Sequence, residues 1–208
     1  MEKFTSLTGV AAPMLMVNIN TDLLAPSLVP GRELVDIPLI PLKDKMFANL
    51  RYDSNGVEKP DFVLNQERYR SAHILLAGAN FGCGSSRETA VWSLMEYGIR
   101  CVIAPSFGDI FHDNAFQNGL LPIQLKMTEI RRIAEAIGRS NNAEMTVDLE
   151  RCVIEVPGMQ PIRFELPEER RIPLLEGLDQ LSFIQRSLGE ILAFELLDAE
   201  ANPWLYPD

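Results

Sequence analysis

The stretch HILLAGANFGCGSSRETAVWSLMEYGIRCVIA, His73 to Ala104, decides the fold. His73-Ile74-Leu75-Leu76-Ala77 is a short apolar run ended by glycine, the pattern of a buried strand. Ser85 to Tyr97 then places Val91, Leu94 and Met95 at helical spacing until Gly98 stops the helix. Cys101-Val102-Ile103-Ala104 is a second buried strand. Working outward, Asp109 to Gln117 predicts a helix stopped by Asn118-Gly119, and Leu120 to Leu125 predicts a third strand. Strands alternating with helices at this spacing imply right-handed βαβ crossovers and a parallel sheet. Burial on both faces explains why the strands are continuously apolar instead of alternating.

Downstream the pattern changes. Met145 to Leu149 and Arg151 to Val156 read as strands, and Pro157-Gly158 turns the chain into Ile162 to Leu166, so an antiparallel hairpin or meander is expected. Thr128 to Ile137 reads as an amphipathic helix with Thr128 as its cap, and Leu178 to Phe194 carries helical periodicity. The tail Asn202 to Asp208 holds two aromatics and is expected to dock. Between Leu24 and Pro60 the chain is rich in proline and poor in periodic apolar residues, which predicts a loop region with little core of its own, ordered by a partner.

A chain of 208 residues, 47% of them hydrophobic, can bury a real core. A net charge of -10 argues against a nucleic-acid partner, so an anionic ligand would depend on local positive groups. Cys83, Cys101 and Cys152 stand singly, without the close pairs of a metal site or the even count of a disulfide framework, and predict a reducing compartment, the cytoplasm. No run approaches the roughly 20 apolar residues of a membrane span. Gly9 to Ile19 is apolar, yet it is broken by Pro13 and lacks the basic flank of a signal peptide.

Within the opening stretch, Gly82 and Gly84 permit positive φ and close approach, and Ser85 and Ser86 stand where the helix is expected to begin. Free amides and the helix dipole there attract anions, and Arg87 adds a fork suited to carboxylate or phosphate. A phosphate loop is disfavoured, because no Lys-Ser/Thr follows the glycines. A nucleophile elbow fails at Arg87, which stands where G-x-S-x-G needs glycine. A nucleophilic Cys83 would need a histidine partner, and the chain has only His73 and His112. A purely structural alternative has Ser85 capping the helix, Arg87 paired with a nearby carboxylate and the glycines making a turn. Convergence of three donor types at the end of a buried strand, the usual ligand position in α/β sheets, favours a binding site without naming a reaction.

Asn80-Phe81-Gly82-Cys83-Gly84-Ser85-Ser86-Arg87-Glu88 is followed by Val102 to Phe107, Asp109-Ile110-Phe111 and Asn118-Gly119-Leu120-Leu121-Pro122. With Asn18-Ile19-Asn20-Thr21-Asp22 and Pro60 to Asn65, this ordered set spans residues 18 to 125 and resembles the small subunits of isopropylmalate isomerase, the detached swivel domain of the aconitase superfamily. The resemblance implies one swivelling β/β/α three-layer domain over residues 1–208, with a parallel βαβαβ core and an additional antiparallel strand layer. Residues 24–60 would be its irregular loop region and 126–208 a C-terminal elaboration.

The implied activity is that of a hydro-lyase of leucine biosynthesis, working only with a large subunit whose own cysteines hold a [4Fe-4S] cluster; this chain would bind no metal. By match to the Gly-Ser-Ser-Arg motif, Ser85 would be the base and Arg87 the anchor of a substrate carboxylate. Ser86, Gly84, Thr21 and Asp22 would complete the dicarboxylate site. Leu28 and Val29, following the matched Thr-Asp, would line an alkyl pocket. Three departures bear on the substrate: Thr89 stands where the family usually shows His, Asn20 where Asp is common, and Pro26 to Arg32 lacks the usual basic and aromatic residues. A relative acting on a methyl- or dimethylmalate therefore stays open, as does a ligand-binding module without catalysis. A cluster-bearing partner separates enzyme from module.

Overall fold

The computed structural model describes residues 1–33, Asp36 and 39–205. Seven strands form one mixed sheet in the order β4-β3-β2-β1-β5-β6-β7. They are β1 (Ser6–Met14), β2 (Ala72–Ala77), β3 (Cys101–Ala104), β4 (Leu121–Gln124), β5 (Glu144–Asp148), β6 (Val153–Glu155) and β7 (Ile162–Arg163). From β1 to β4 all pairings are parallel, and from β1 through β5 and β6 to β7 all are antiparallel. The antiparallel strands, expected as an additional layer, thus continue the hydrogen-bonded order of the parallel core.

The opening stretch folds as its pattern requires. β2 is buried except for Ala72's neighbour His73, and every residue of β3 is buried. Between them, α4 (Thr89–Tyr97) ends at Gly98, whose φ of 114° lets its amide reach the carbonyls of Leu94 and Met95. The following helix, α5 (Asp109–Asn118), ends the same way at Gly119. Pro122 is tolerated because β4 is an edge strand.

β1 was not expected as a strand. It joins the two halves of the sheet, and its Pro13 lies beyond Val10, where pairing with β5 stops and the missing amide hydrogen leaves no gap in that ladder. The apolar segment from Gly9 is therefore core: Ala11, Ala12 and Ile19 are fully buried.

Short helices α1 (Thr21–Leu24), α2 (Leu42–Lys45) and α3 (Ala48–Arg51) fall in or beside the region expected to lack a core. That expectation is corrected for its second half. Met46, Phe47 and Ala48 are fully buried, and the Phe47 amide donates to the Leu24 carbonyl at 3.3 Å. Buried Asn65 holds this segment by donating to the Arg51 carbonyl at 2.7 Å. Helices of four residues are too short to show a period, so no sequence pattern marked them.

α6 (Met127–Arg139) buries Ile130, Ile133, Ala136 and Ile137 against the sheet. Its flanking residue is Lys126, so Thr128 lies in the first turn and does not cap it. The chain closes with α7 (Glu168–Glu176), α8 (Gln180–Ile184) and α9 (Leu188–Ala201). Trp204 stays 71% exposed, so the tail is not docked as far as Leu205; Tyr206 to Asp208 lie outside the described residues. Among the described residues, no helix is long and apolar enough to cross a membrane.

Candidate active site

The loops leaving the C-terminal ends of β1, β2 and β3 are laced together by backbone hydrogen bonds. Gly82 N–H donates to the Ile19 carbonyl at 2.7 Å, Thr21 N–H to the Cys83 carbonyl at 2.9 Å, and Phe81 N–H to the Ser106 carbonyl at 3.0 Å. The Gly-rich loop after β2 is thereby held between its neighbours, almost as a continuation of the sheet. Gly82 (φ 73°) is required twice over, since a Cβ there would meet Cγ of buried Phe111 at 2.1 Å. Gly84 (φ 104°) brings the chain over Thr21, with a Cβ position only 3.4 Å from Thr21 Oγ1.

This lacing joins residues 64 positions apart. Ser85 N–H donates to Thr21 Oγ1 at 3.1 Å, and the two hydroxyls lie 3.0 Å apart. Because Thr21 Oγ1 already accepts the amide, its own hydrogen is available to Ser85 Oγ. From the other side Arg87 Nε donates to Ser85 Oγ at 2.9 Å. The outer arm of the Arg87 guanidinium pairs with Asp22 Oδ1. Thr21 is 1% exposed, whereas Gly84, Ser85, Ser86 and Asp22 lie open to solvent. The site is a shallow polar edge with a buried support beneath it.

One sequence expectation needs correction. α4 begins at Thr89, not at Ser85, and Glu88 occupies the position before it without a side-chain cap bond. Ser85 is therefore not the helix cap, and the first-turn amides of Val91 and Trp92 are taken by the Glu88 carbonyl. Leu28 and Val29, expected to line one alkyl pocket, have different surroundings. Leu28 is exposed, while Val29 is buried and borders a cleft of about 190 Å³ with Pro30, Ile40 and Tyr52. Adjacent residues in an irregular turn point to different sides, which sequence adjacency alone does not reveal.

Sequence reasoning also passed over a polar group beside the site. Asn80 donates through Nδ2 to Asn18 Oδ1 at 2.8 Å and through its amide to Ser106 Oγ at 2.9 Å. Both asparagines have left-handed backbones, φ 56° and 60°. Asparagine is among the few residues other than glycine that tolerate this conformation, and that is the signal by which they were findable. Glu88 is turned away from Arg87 and accepts from Asn118 Nδ2 at 3.3 Å, tying α4 to α5.

Cys101 does not mark a reactive centre. Burial pushes the Cys101 thiol well above its ordinary range, away from the thiolate form. His112 packs against Phe107 and Phe116, and its burial lowers its pKa. Among the described residues, no group of three or more His, Cys, Asp or Glu side chains is arranged to hold a metal ion.

A family model of the aconitase C-terminal domain matches residues 1–128, the parallel half of the sheet with its loops. The 3-isopropylmalate dehydratase small subunit of Dinoroseobacter shibae is 48% identical over 205 residues, covering 99% of this chain and 100% of its own. That of Paramagnetospirillum magneticum is likewise 48% identical over 205 residues, and that of Mesorhizobium japonicum 46% over 204. The crystal structure of the 3-isopropylmalate dehydratase leuD of Methanocaldococcus jannaschii shares the fold, with a TM-score of 0.61 at 23% identity over 91% of this chain and 99% of that one. The chain thus belongs to the aconitase C-terminal domain family, among the 3-isopropylmalate dehydratase small subunits.

Proposed function

We propose that this chain is the small subunit of a heteromeric hydro-lyase that interconverts 2-isopropylmalate and 3-isopropylmalate by dehydration and rehydration, a step of leucine biosynthesis in the cytoplasm. Similarity along the full length to small subunits of that name supports the reaction. One geometric observation carries the residue roles: Ser85 Oγ sits between Arg87 Nε and Thr21 Oγ1 on an open edge of the domain.

A serine hydroxyl is a weak base unless its alkoxide is stabilised. As an alkoxide, Ser85 Oγ can only accept, so Thr21 must donate its hydroxyl hydrogen while Arg87 donates Nε–H. Two donors, one of them cationic, then meet the charge as it forms. In this reading Ser85 takes the proton from the carbon beside a substrate carboxylate and returns it on rehydration. The carboxylate is held by the outer arm of Arg87, where Asp22 now sits as a carboxylate partner, with Ser86 and the Gly84 backbone alongside. In this reading Thr21, expected to touch substrate, acts through Ser85 instead.

On the open edge these donors are screened by water, and their effect grows when a partner closes over them. That is the physical case for a second chain and for a swivelling β/β/α domain that presents this edge to it. Cys83, Cys101 and Cys152 are separate and partly or wholly buried, so the residues of this chain do not fit a [4Fe-4S] cluster. The cluster in this proposal belongs to the large subunit, and this chain contributes the proton-handling and carboxylate-binding groups.

The test is reconstitution with the large subunit and assay against a panel of substituted malates. Isopropylmalates are expected to be turned over with the highest kcat/KM. A preference for methyl- or dimethylmalate, the alternative opened by Thr89, Asn20 and residues 26–32, would overturn the substrate assignment. The names of the full-length relatives do not favour that alternative.

A further inference from the structure

The helices α8 and α9 have no buried residue. None of the 14 residues of α9 is buried. Phe194, Leu196 and Leu197 are 67%, 72% and 68% exposed. The root of the segment is nevertheless fixed. The N-terminal ammonium of Met1 donates to the Gly177 carbonyl at 3.0 Å, Asp179 caps α8 by accepting from the Ser182 amide at 2.7 Å, and Arg186 pairs with Glu176.

Helical geometry says what such a helix requires. Leu188, Leu192 and Leu196, spaced by four, form one apolar line, and Phe194 and Leu197 lie on the opposite side. A helix apolar on two sides is stable only when it is surrounded, whereas a helix lying on a flat surface needs one apolar stripe. Between Ser187 and Leu205 the chain also carries Glu190, Glu195, Asp198 and Glu200 and no Lys or Arg. Pairing α9 with a second copy would cover one apolar line and set carboxylates against carboxylates, between chains of net charge -10. A lipid surface would call for one polar face rich in Lys and Arg, which α9 lacks.

We infer that α9 is a docking helix that inserts into a groove of the large subunit, apolar along its walls and basic at its rim. The inference rests on the reading of this chain as a small subunit, and it concerns a surface separate from Ser85. α9 would thereby tether the domain through its C-terminal end and leave the Ser85 edge free to meet another part of the large subunit.

The experiment titrates the cluster-loaded large subunit with the full-length chain and with Leu192→Glu/Leu196→Glu, reading assembly by sedimentation and by activity. Both leucines are exposed, so the melting temperature of the isolated variant is expected to match the wild type. Its apparent Kd is expected to rise at least about 100-fold, with unchanged turnover at saturating large subunit. Glu195→Lys/Glu200→Lys is expected to weaken assembly about 10-fold, in step with a salt-dependent affinity of the wild type. Assembly of the leucine variant at wild-type affinity would overturn the docking role. A wild-type chain that dimerises alone, with the variant monomeric, would overturn it too by making a second copy the occupant. Failure of the wild type itself to bind the large subunit would instead overturn the small-subunit reading, and the docking role with it.

Discussion

The loop from Gly78 to Glu88 and the helix α9 are both open surfaces, and they are incomplete in opposite ways. In the loop the backbone is satisfied by neighbouring strands, the glycines are pressed against packed groups, and what faces solvent is polar: Ser85, Ser86 and the Arg87–Asp22 pair. In α9 the backbone is satisfied within the helix, and what faces solvent is leucine and phenylalanine. An exposed polar edge is stable in water and awaits a ligand; an exposed apolar helix is costly in water and awaits a protein. One chain thus carries two unmet needs, chemical at the sheet edge and structural at the C-terminal end.

That division is testable because the two surfaces should respond independently. The largest effect is expected from Ser85→Ala. Removing the proposed base should lower kcat of the reconstituted enzyme by roughly 100-fold or more, with little change in KM. Because Ser85 does not cap α4, melting temperature and large-subunit affinity should stay at wild-type values. A less stable variant with normal kcat would break the comparison by making the loop structural. Next comes Gly82→Ala, which probes the packed underside of the same loop. Its Cβ would collide with the Phe111 ring and its φ of 73° is left-handed, so a loss of about 2–4 kcal/mol is expected in denaturant unfolding. Unchanged stability would show that the lacing between strands does not hold the loop.

Thr21→Val sharpens the comparison with the smallest effect. The substitution keeps the buried shape, removes one donor to the Ser85 oxygen and leaves the Ser85 amide without its acceptor. A drop of about 10-fold in kcat is expected, with KM nearly unchanged and full recovery in Thr21→Ser. Equal loss of kcat in Thr21→Ser would assign the residue to packing through its methyl group. Together with the leucine variants of α9, which should move assembly and leave kcat alone, these substitutions separate the two surfaces.

Much of the parallel half was legible because its signals are local. A strand buried on both faces must be apolar throughout, and a helix that ends in a left-handed turn needs glycine, so β2, α4, β3 and α5 could be bounded to within a few residues. The exception within that stretch was the start of α4. Ser85 and Ser86 have the character of caps, yet the bonds of Ser85 to Thr21 and of Arg87 to Asp22 hold residues 85–87 outside the helix, which begins at Thr89. Similarly β1 was hidden by Pro13, a residue that normally argues against an inner strand and is accommodated only because β5 has already ended.

Residue chemistry and order along the chain therefore determined the alternation of strands and helices, the glycine stops, the acidic net charge and the placing of Ser85 and Arg87 directly after a Gly-rich loop. Only the tertiary structure decided which groups those two residues touch. Thr21 reaches Ser85 across 64 positions because the loops after β1 and β2 are held side by side by the register of parallel strands. It likewise decided that Leu28 and Val29 part company and that α9 finds no core within its own chain. Local patterns record what each segment needs to bury; which partner meets that need depends on strand order and register, and these are set by contacts between segments far apart in sequence.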